Sequence, residues 1–428
     1  MKRVLIITYY WPPSAGSGVQ RWLKFSKYLQ EFGWQPVIFT PENPDFSLHD
    51  ESLKQEVDKH TEVLKFPIWE PYHLFRTLKK QGPKDTASIL EYKDPGLLDQ
   101  LAVWLRGNLL IPDPRLFWIK PSVKFLEGIW EQNDFKAIIT TGPPHSMHLL
   151  GRNLKRKTGI PWLADFRDPW STWEFLDTLK LSGFARKKHQ KLERSVFEEA
   201  DRLVTISPTF QKEMKAIGAK DIQVLLNGFD PSDIPEFLTT SPGSSSVLEI
   251  VYSGVIDAIR NPLPFLKVLK SVFGNTSGKV RLTFVGRVNE SVKQLLSEDN
   301  WFRAHVVLAG YVSHKEVFSF YQKANLLLLI LTNTKNAKGN IPGKLFEYMA
   351  TGRQILALGD PKGDSASIIK TSEAGKVFSH TDETGMAQFI KNFQTNKLPN
   401  KLEADILRYS RKKITAQLAL LLDEISQA

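Results

Sequence analysis

The residues with the most chemical content lie in one segment, Gly339-Asn340-Ile341-Pro342-Gly343-Lys344-Leu345-Phe346-Glu347-Tyr348-Met349-Ala350-Thr351-Gly352. Pro342 and Gly343 prepare a helix start. Lys344 falls in its first turn, where free backbone N–H groups and the helix dipole already favour an anion. Glu347 follows about one turn later, on the face of Lys344 or Gly343. A carboxylate there can accept both hydroxyls of a ribose, and a lysine there can neutralise phosphate, so the pair suits a nucleotide. The competing reading is an ordinary amphipathic helix carrying a solvated Lys344–Glu347 pair. It is not a phosphate loop of the Walker type: the glycine spacing is one short, and Leu345 stands where Ser or Thr is needed.

Other candidates lie just past apolar runs. Gly254 ends the run Ile250 to Ser253, with Arg260 in the loop before the next helix, and Gly286-Arg287 ends the run Val280 to Val285. An always-charged, bidentate guanidinium at such a place suits a diphosphate, and a solvated surface Arg is the alternative. In the N-terminal half, the loop Trp11 to Gly18 holds Gly16 and Gly18, but Arg21 stands where a dinucleotide fingerprint has its third glycine. Three more loops gather polar residues: Thr140 to His145, Asp165-Phe166-Arg167-Asp168-Pro169-Trp170, and Asn227-Gly228-Phe229-Asp230. Each follows a β-rich run, so all are expected on one carboxyl edge, with His145 and Asp168 as candidates for chemistry. Asp165 and Asp168 could equally be a helix cap and a partner for Arg167.

The elements that must hold these residues read as alternating strand and helix. Val4 to Thr8, Val19 to Phe32 and Val37 to Thr40 form a βαβ unit, which implies a parallel sheet. Further strands are expected at Ala137 to Thr141, Trp162 to Ala164 and Arg202 to Ile206. A Ser/Thr/Gly/Pro tract then interrupts the pattern. After it the pattern restarts, with strands at Ile250 to Ser253, Val280 to Val285, Ala304 to Leu308, Asn325 to Leu331 and Ile355 to Leu358. The expected division is 1–237, a linker 238–247, a second domain 248–402, and a terminal helix 403–428 that packs back on the first domain.

The chain has 428 residues, no cysteine, and 57 Lys+Arg against 46 Asp+Glu, a formal net charge of +11. Thiolate metal sites, disulfides and Cys nucleophiles are therefore excluded. No D-x-D, H-E-x-x-H or G-x-S-x-G occurs. The basic residues are dispersed and no nucleic-acid module accompanies them, so nucleic acid is not an expected partner. The Trp/Lys-rich stretch from Val103 to Trp130 and the basic helix near Lys187 are candidates for an anionic membrane surface, the alternative being packed helices with solvated charges. The apolar start is broken by Tyr9-Tyr10-Trp11-Pro12-Pro13 and reads as a first strand rather than a leader, so a cytoplasmic protein is expected, with the inner face of the cell membrane as a second location.

Taken in order, the glycine-bearing first loop, Asn227-Gly228-Phe229-Asp230, Gly254, and the run from Pro342 through Lys344, Glu347 and Tyr348-Met349-Ala350 to Gly352 resemble the retaining glycosyltransferases of family 4. The Thr-Gly-Pro-Pro-His and Asp-Phe-Arg-Asp-Pro-Trp loops look like the branch that makes bacterial surface polysaccharides. The resemblance implies an α/β protein of GT-B fold, two facing Rossmann-like domains with a C-terminal helix. It implies a nucleotide sugar as donor, a saccharide or lipid-linked acceptor, and no cofactor or metal. By the same resemblance Glu347 holds the donor ribose, and Arg260, Lys344 and Arg287 meet the diphosphate beside Gly254. Gly16 and Gly18 let the first loop close on the substrates, His145 contacts the transferred sugar, and Asp168 sits by the acceptor. Two positions depart from the pattern: Gly339 replaces the first glutamate of E-x7-E, and Phe265-Leu266 replace a lysine that often follows the arginine. A nucleotide-binding scaffold of the same fold without transfer activity is the alternative function.

Overall fold

The computed structural model describes residues 1–46, 49–71, 97–235, 247–274, 279–395 and 404–427. Most of the expected linker lies outside them. The chain divides into two compact units, Met1–Leu226 with Lys412–Ala428, and Asn227–Arg411. The boundary thus precedes the expected position at 237. The physical reason is that Asn227 to Asp230 pairs with the far end of the second unit: Arg411 N donates to Phe229 O at 2.7 Å, and Phe229 N to Tyr409 O at 3.1 Å. The Asn227-Gly228-Phe229-Asp230 loop therefore does not belong to the first unit's sheet edge.

The first unit holds strands β1 (Lys2–Ile7), β2 (Trp34–Pro41), β3 (Glu62–Phe66), β4 (Phe135–Gly142), β5 (Trp162–Phe166), β6 (Arg202–Thr205) and β7 (Ile222–Val224), in the order β3-β2-β1-β4-β5-β6-β7. Every pairing is parallel. A parallel strand covered on both faces is apolar throughout, and β1 shows why. Leu5 and Ile7 enter a core with Trp118, Leu126 and Trp162, whereas Val4 and Ile6 enter the opposite core with Trp22 and Phe25. That second core is completed by Ile414, Leu418, Leu422 and Ile425 of the terminal helix Arg411–Gln427. The tail is not one helix: a 3-10 stretch Ala404–Tyr409 precedes it.

The second unit holds β8 (Leu248–Ser253), β9 (Val280–Val285), β10 (Val306–Gly310), β11 (Leu326–Ile330), β12 (Gln354–Leu358) and β13 (Gly375–Phe378), in the order β10-β9-β8-β11-β12-β13. The strand expected over Ala304 to Leu308 starts only at Val306, because Asp299 accepts from Trp301 N and Phe302 N and starts a helix, Asn300–His305. Both sheets reverse direction next to their first strand, β1/β4 and β8/β11. At such a switch point adjacent loops diverge and leave a crevice at the strand carboxyl ends.

Candidate functional site

Lys344, the second residue of the helix Gly343–Ala350, reaches back to the end of β8. Its Nζ donates to Ser253 O at 2.5 Å and to the Tyr252 hydroxyl at 3.2 Å, and lies 4.3 Å from the Tyr252 ring centroid. Gly254 makes the room. A Cβ there would fall 2.3 Å from Nζ, and its φ of +126° is strained for other residues. Burial, and then the Arg260 guanidinium, push the Lys344 ammonium down to about 7. Arg260 is held by Asp257, whose Oδ2 accepts from Nη1 at 2.5 Å and whose Oδ1 accepts from the Arg260 amide at 2.9 Å. Two cations thus oppose one another at one strand edge. Arg287 follows β9 with its carbonyl accepting from Ile256 N at 2.8 Å, but its side chain is exposed and the structure does not draw it to Lys344. Phe265 and Leu266 are fully buried core residues of the helix Leu263–Phe273, so no cation replaces the missing lysine there.

Glu347 sits one turn after Lys344, and its Oε1 is 3.1 Å from His314 Nε2. Burial opposes its charge, yet the His314 hydrogen bond, with Arg411 and Lys344, holds the carboxyl below its usual range. His314 responds in the opposite sense. Burial pulls it down, but Glu347 outweighs that and raises it. His314 opens the helix His314–Lys323 after β10, where Ser313 and Glu316 form a capping box. Sequence reasoning did not assign it; the signal was its place just past a strand, like the other candidates. Ser253, Tyr321 and Tyr348 lock the floor: Ser253 N donates to the Tyr348 hydroxyl at 2.8 Å, and Ser253 Oγ is 2.7 Å from the Tyr321 hydroxyl.

In the first unit, Gly16, Gly18, His145 and Asp168 follow β1, β4 and β5, which are neighbours. Gly16 precedes the helix Ser17–Leu29 with φ +112°. Gly18 leaves space filled by Arg167, because a Cβ there would meet its guanidinium. Arg167 also donates to Pro143 O at 3.4 Å and lies over the Tyr10 ring, so it joins all three loops. His145 stacks flat on Trp170, ring centroids 4.8 Å apart. Burial, with His148 and His189 nearby, holds it well below the histidine range, and it is neutral. Asp168 is half-buried with Arg167 Nε 3.5 Å away, and burial raises its carboxyl. Asp165 is neither a cap nor a partner of Arg167. Its fully buried carboxylate takes Arg21 Nε at 3.1 Å and Nη2 at 2.9 Å, plus Trp22 Nε1 at 2.9 Å. Among the described residues no group of three or more His, Cys, Asp or Glu is placed to hold a metal ion.

Comparison with known proteins decides the family. Residues 16–228 match the family described as Glycosyl transferase 4-like domain, and residues 248–396 match Glycosyl transferases group 1. The chain belongs to the glycosyltransferases of GT-B fold. No curated protein matches it. Similar solved structures include a variant of S. aureus TarM in complex with fondaparinux, alpha-GlcNAc-glycerol and UDP, at 11% identity and TM-score 0.64, covering 99% of this chain and 100% of that one. Anabaena HepE in complex with UDP and glucose gives 13%, 0.61, and coverage of 99% and 100%. The lipopolysaccharide outer core galactosyltransferase WaaB in its apo form gives 13%, 0.56, and coverage of 98% and 99%. At these identities the likeness is one of fold. Within this glycosyltransferase, both candidate clusters occupy strand carboxyl edges beside the two switch points.

Proposed function

We propose that the protein transfers a sugar from a nucleoside diphosphate to a hydroxyl of a saccharide or lipid-linked acceptor, with retention of anomeric configuration. The observation that carries this reading is the Lys344–Arg260 pair beside the helix start that bears Glu347. Two half-buried cations that repel one another are relieved by an anion, and a carboxylate one turn away can take a ribose diol. A leaving diphosphate there gains stabilisation as charge develops, without a metal. The transition state is oxocarbenium-like, and a diphosphate oxygen takes the acceptor proton. His145, uncharged, meets the transferred sugar, and Asp168 lies by the acceptor; both roles, like retention, rest on the family resemblance. The UDP in the HepE and TarM structures makes uridine nucleotides the first donors to try. The deciding experiment is a panel of nucleotide sugars with mass-spectrometric detection of released nucleoside diphosphate, with and without EDTA. Glu347→Ala should abolish release or raise donor KM at least tenfold. Normal transfer by a folded Glu347→Ala protein overturns the assignment, and nucleotide binding without release from any donor returns the scaffold reading.

A further inference from the structure

The first unit carries an apolar surface that the sugar chemistry does not use. The helix Leu97–Leu109 is locked at its end onto the segment that starts the helix Gly183–Glu199. Ser182 N donates to Asn108 Oδ1 at 2.7 Å, and Asn108 Nδ2 donates to Lys180 O at 3.3 Å. Gly107 permits the approach, since a Cβ there would stand 2.7 Å from Leu179 O. The lock brings Leu109 and Phe184 into one neighbourhood, yet they are 62% and 77% exposed. Leu101 and Trp104, one turn apart on the first helix, are 52% and 42% exposed. Isolated apolar residues on a surface are ordinary, but a cluster on two joined helices is not.

On the face that carries Phe184 the exposed charge is basic, Asp177 being paired with Arg186 at 2.8 Å. The second helix exposes Lys187, Lys188 and Lys191, while its Glu193 is buried against Ser171. Protein–protein interfaces are depleted in lysine, whereas helices lying on a bilayer combine Lys with Trp, Phe and Leu. Among the described residues no helix is long and apolar enough to cross a membrane. The rest of the Trp/Lys-rich stretch is not part of this surface: Trp118 is buried and stacks on Phe39, and Trp130 packs on Phe135.

We propose that this face docks on an anionic phospholipid surface, with Trp104 and Phe184 entering the headgroup layer and Lys187, Lys188 and Lys191 meeting lipid phosphates. The inference is independent of the sugar-transfer reading, because it uses none of the residues of that site. It is tested by co-sedimentation of the full chain with vesicles of phosphatidylcholine alone, or mixed with phosphatidylglycerol at about two to one. Binding is expected only with phosphatidylglycerol present, and should be lost at about 1 M salt, where charge is screened within about 3 Å. Lys187→Gln with Lys188→Gln should weaken partitioning roughly thirtyfold. Trp104→Ser with Phe184→Ser should weaken it at low salt, where the lysine contacts are intact. Both double variants should keep the circular-dichroism spectrum and UDP affinity of the parent. If one of them misfolds, the other and the salt dependence decide. Absence of binding to the anionic vesicles, partitioning unchanged in both variants, or self-association that the Trp104/Phe184 variant abolishes would each overturn the proposal.

Discussion

Lys344 is a half-buried cation with its nearest partners all neutral: a carbonyl, a phenol and an aromatic face. Without an anion its ammonium loses protons near pH 7, and a bound diphosphate restores the charged form. UDP binding above about pH 7 should therefore take up a proton, and affinity should fall as pH rises, by up to about tenfold per unit. Calorimetry in two buffers of different ionisation enthalpy measures this, and Lys344→Met should remove it. Stability moves the other way. The folded value lies below the ordinary lysine value, so the cost of burying the cation is largest below pH 7 and is relieved as pH rises from there towards about 10.4. His314 has the opposite sign. Its raised value means that its pairing with Glu347 contributes fully below about pH 6.5 and is lost as pH climbs through the higher folded value. Because Nε2 holds one carboxylate oxygen in place, His314→Phe should raise donor KM about tenfold while kcat changes little. His314→Gln, which keeps a donor, should recover most of it; equal defects in both variants would mean that His314 serves packing alone.

At the scale of elements, Arg21 fixes the helix Ser17–Leu29 to the sheet. Besides Asp165 it donates to Leu225 O and Leu226 O, both at 3.0 Å. Removing one partner leaves a buried charge unpaired, so Arg21→Met should cost about 3–5 kcal/mol, read as a shift of the urea midpoint. Ser313→Ala, which removes a cap on a helix whose first residue is His314, should cost only about 1 kcal/mol but should raise donor KM as well. The same elements show what was legible beforehand. The runs at β1, β2, β5, β8, β9 and β11 are apolar enough to be read directly, because burial on both faces leaves little else for them to be. β3, β7 and β13 are short and part-exposed, and no pattern marks them. Arg21 reads as a missing third glycine, since its meaning depends on Asp165, 144 residues away. Glu347 and Lys344 were visible as a pair within one turn. Their companions, His314 at 33 residues' separation and Tyr252 at 92, are brought in only by the order of the strands.

At the scale of the whole molecule, sequence identities of 11–13% coexist with coverage of 98% or more of both chains for the similar structures named above. What persists is the two doubly wound sheets, while the loop residues that select substrates are free to differ. The terminal helix is part of that architecture rather than an appendage. Ile414, Leu418, Leu422 and Ile425 are each buried, and at about 1.5–3 kcal/mol apiece their loss rivals the total stability of a domain. A chain ending before Lys412 should leave its first unit unable to melt cooperatively, while the second unit keeps its own transition; scanning calorimetry separates the two. Lys2 pairs with Asp423 at 2.7 Å and Arg202 with Glu424 at 3.1 Å, so both sides of the first sheet's edge feel the truncation.

The return of the chain to its first unit also dictates an order of events during synthesis. A ribosome finishes β1 to β7 early, then makes a whole second domain before it makes the segment that closes the first core. Until then Val4, Ile6 and Trp22 present an uncovered apolar groove to the cell. The nascent first domain therefore waits with that core incomplete, and a premature stop late in the message leaves the earliest part of the protein exposed.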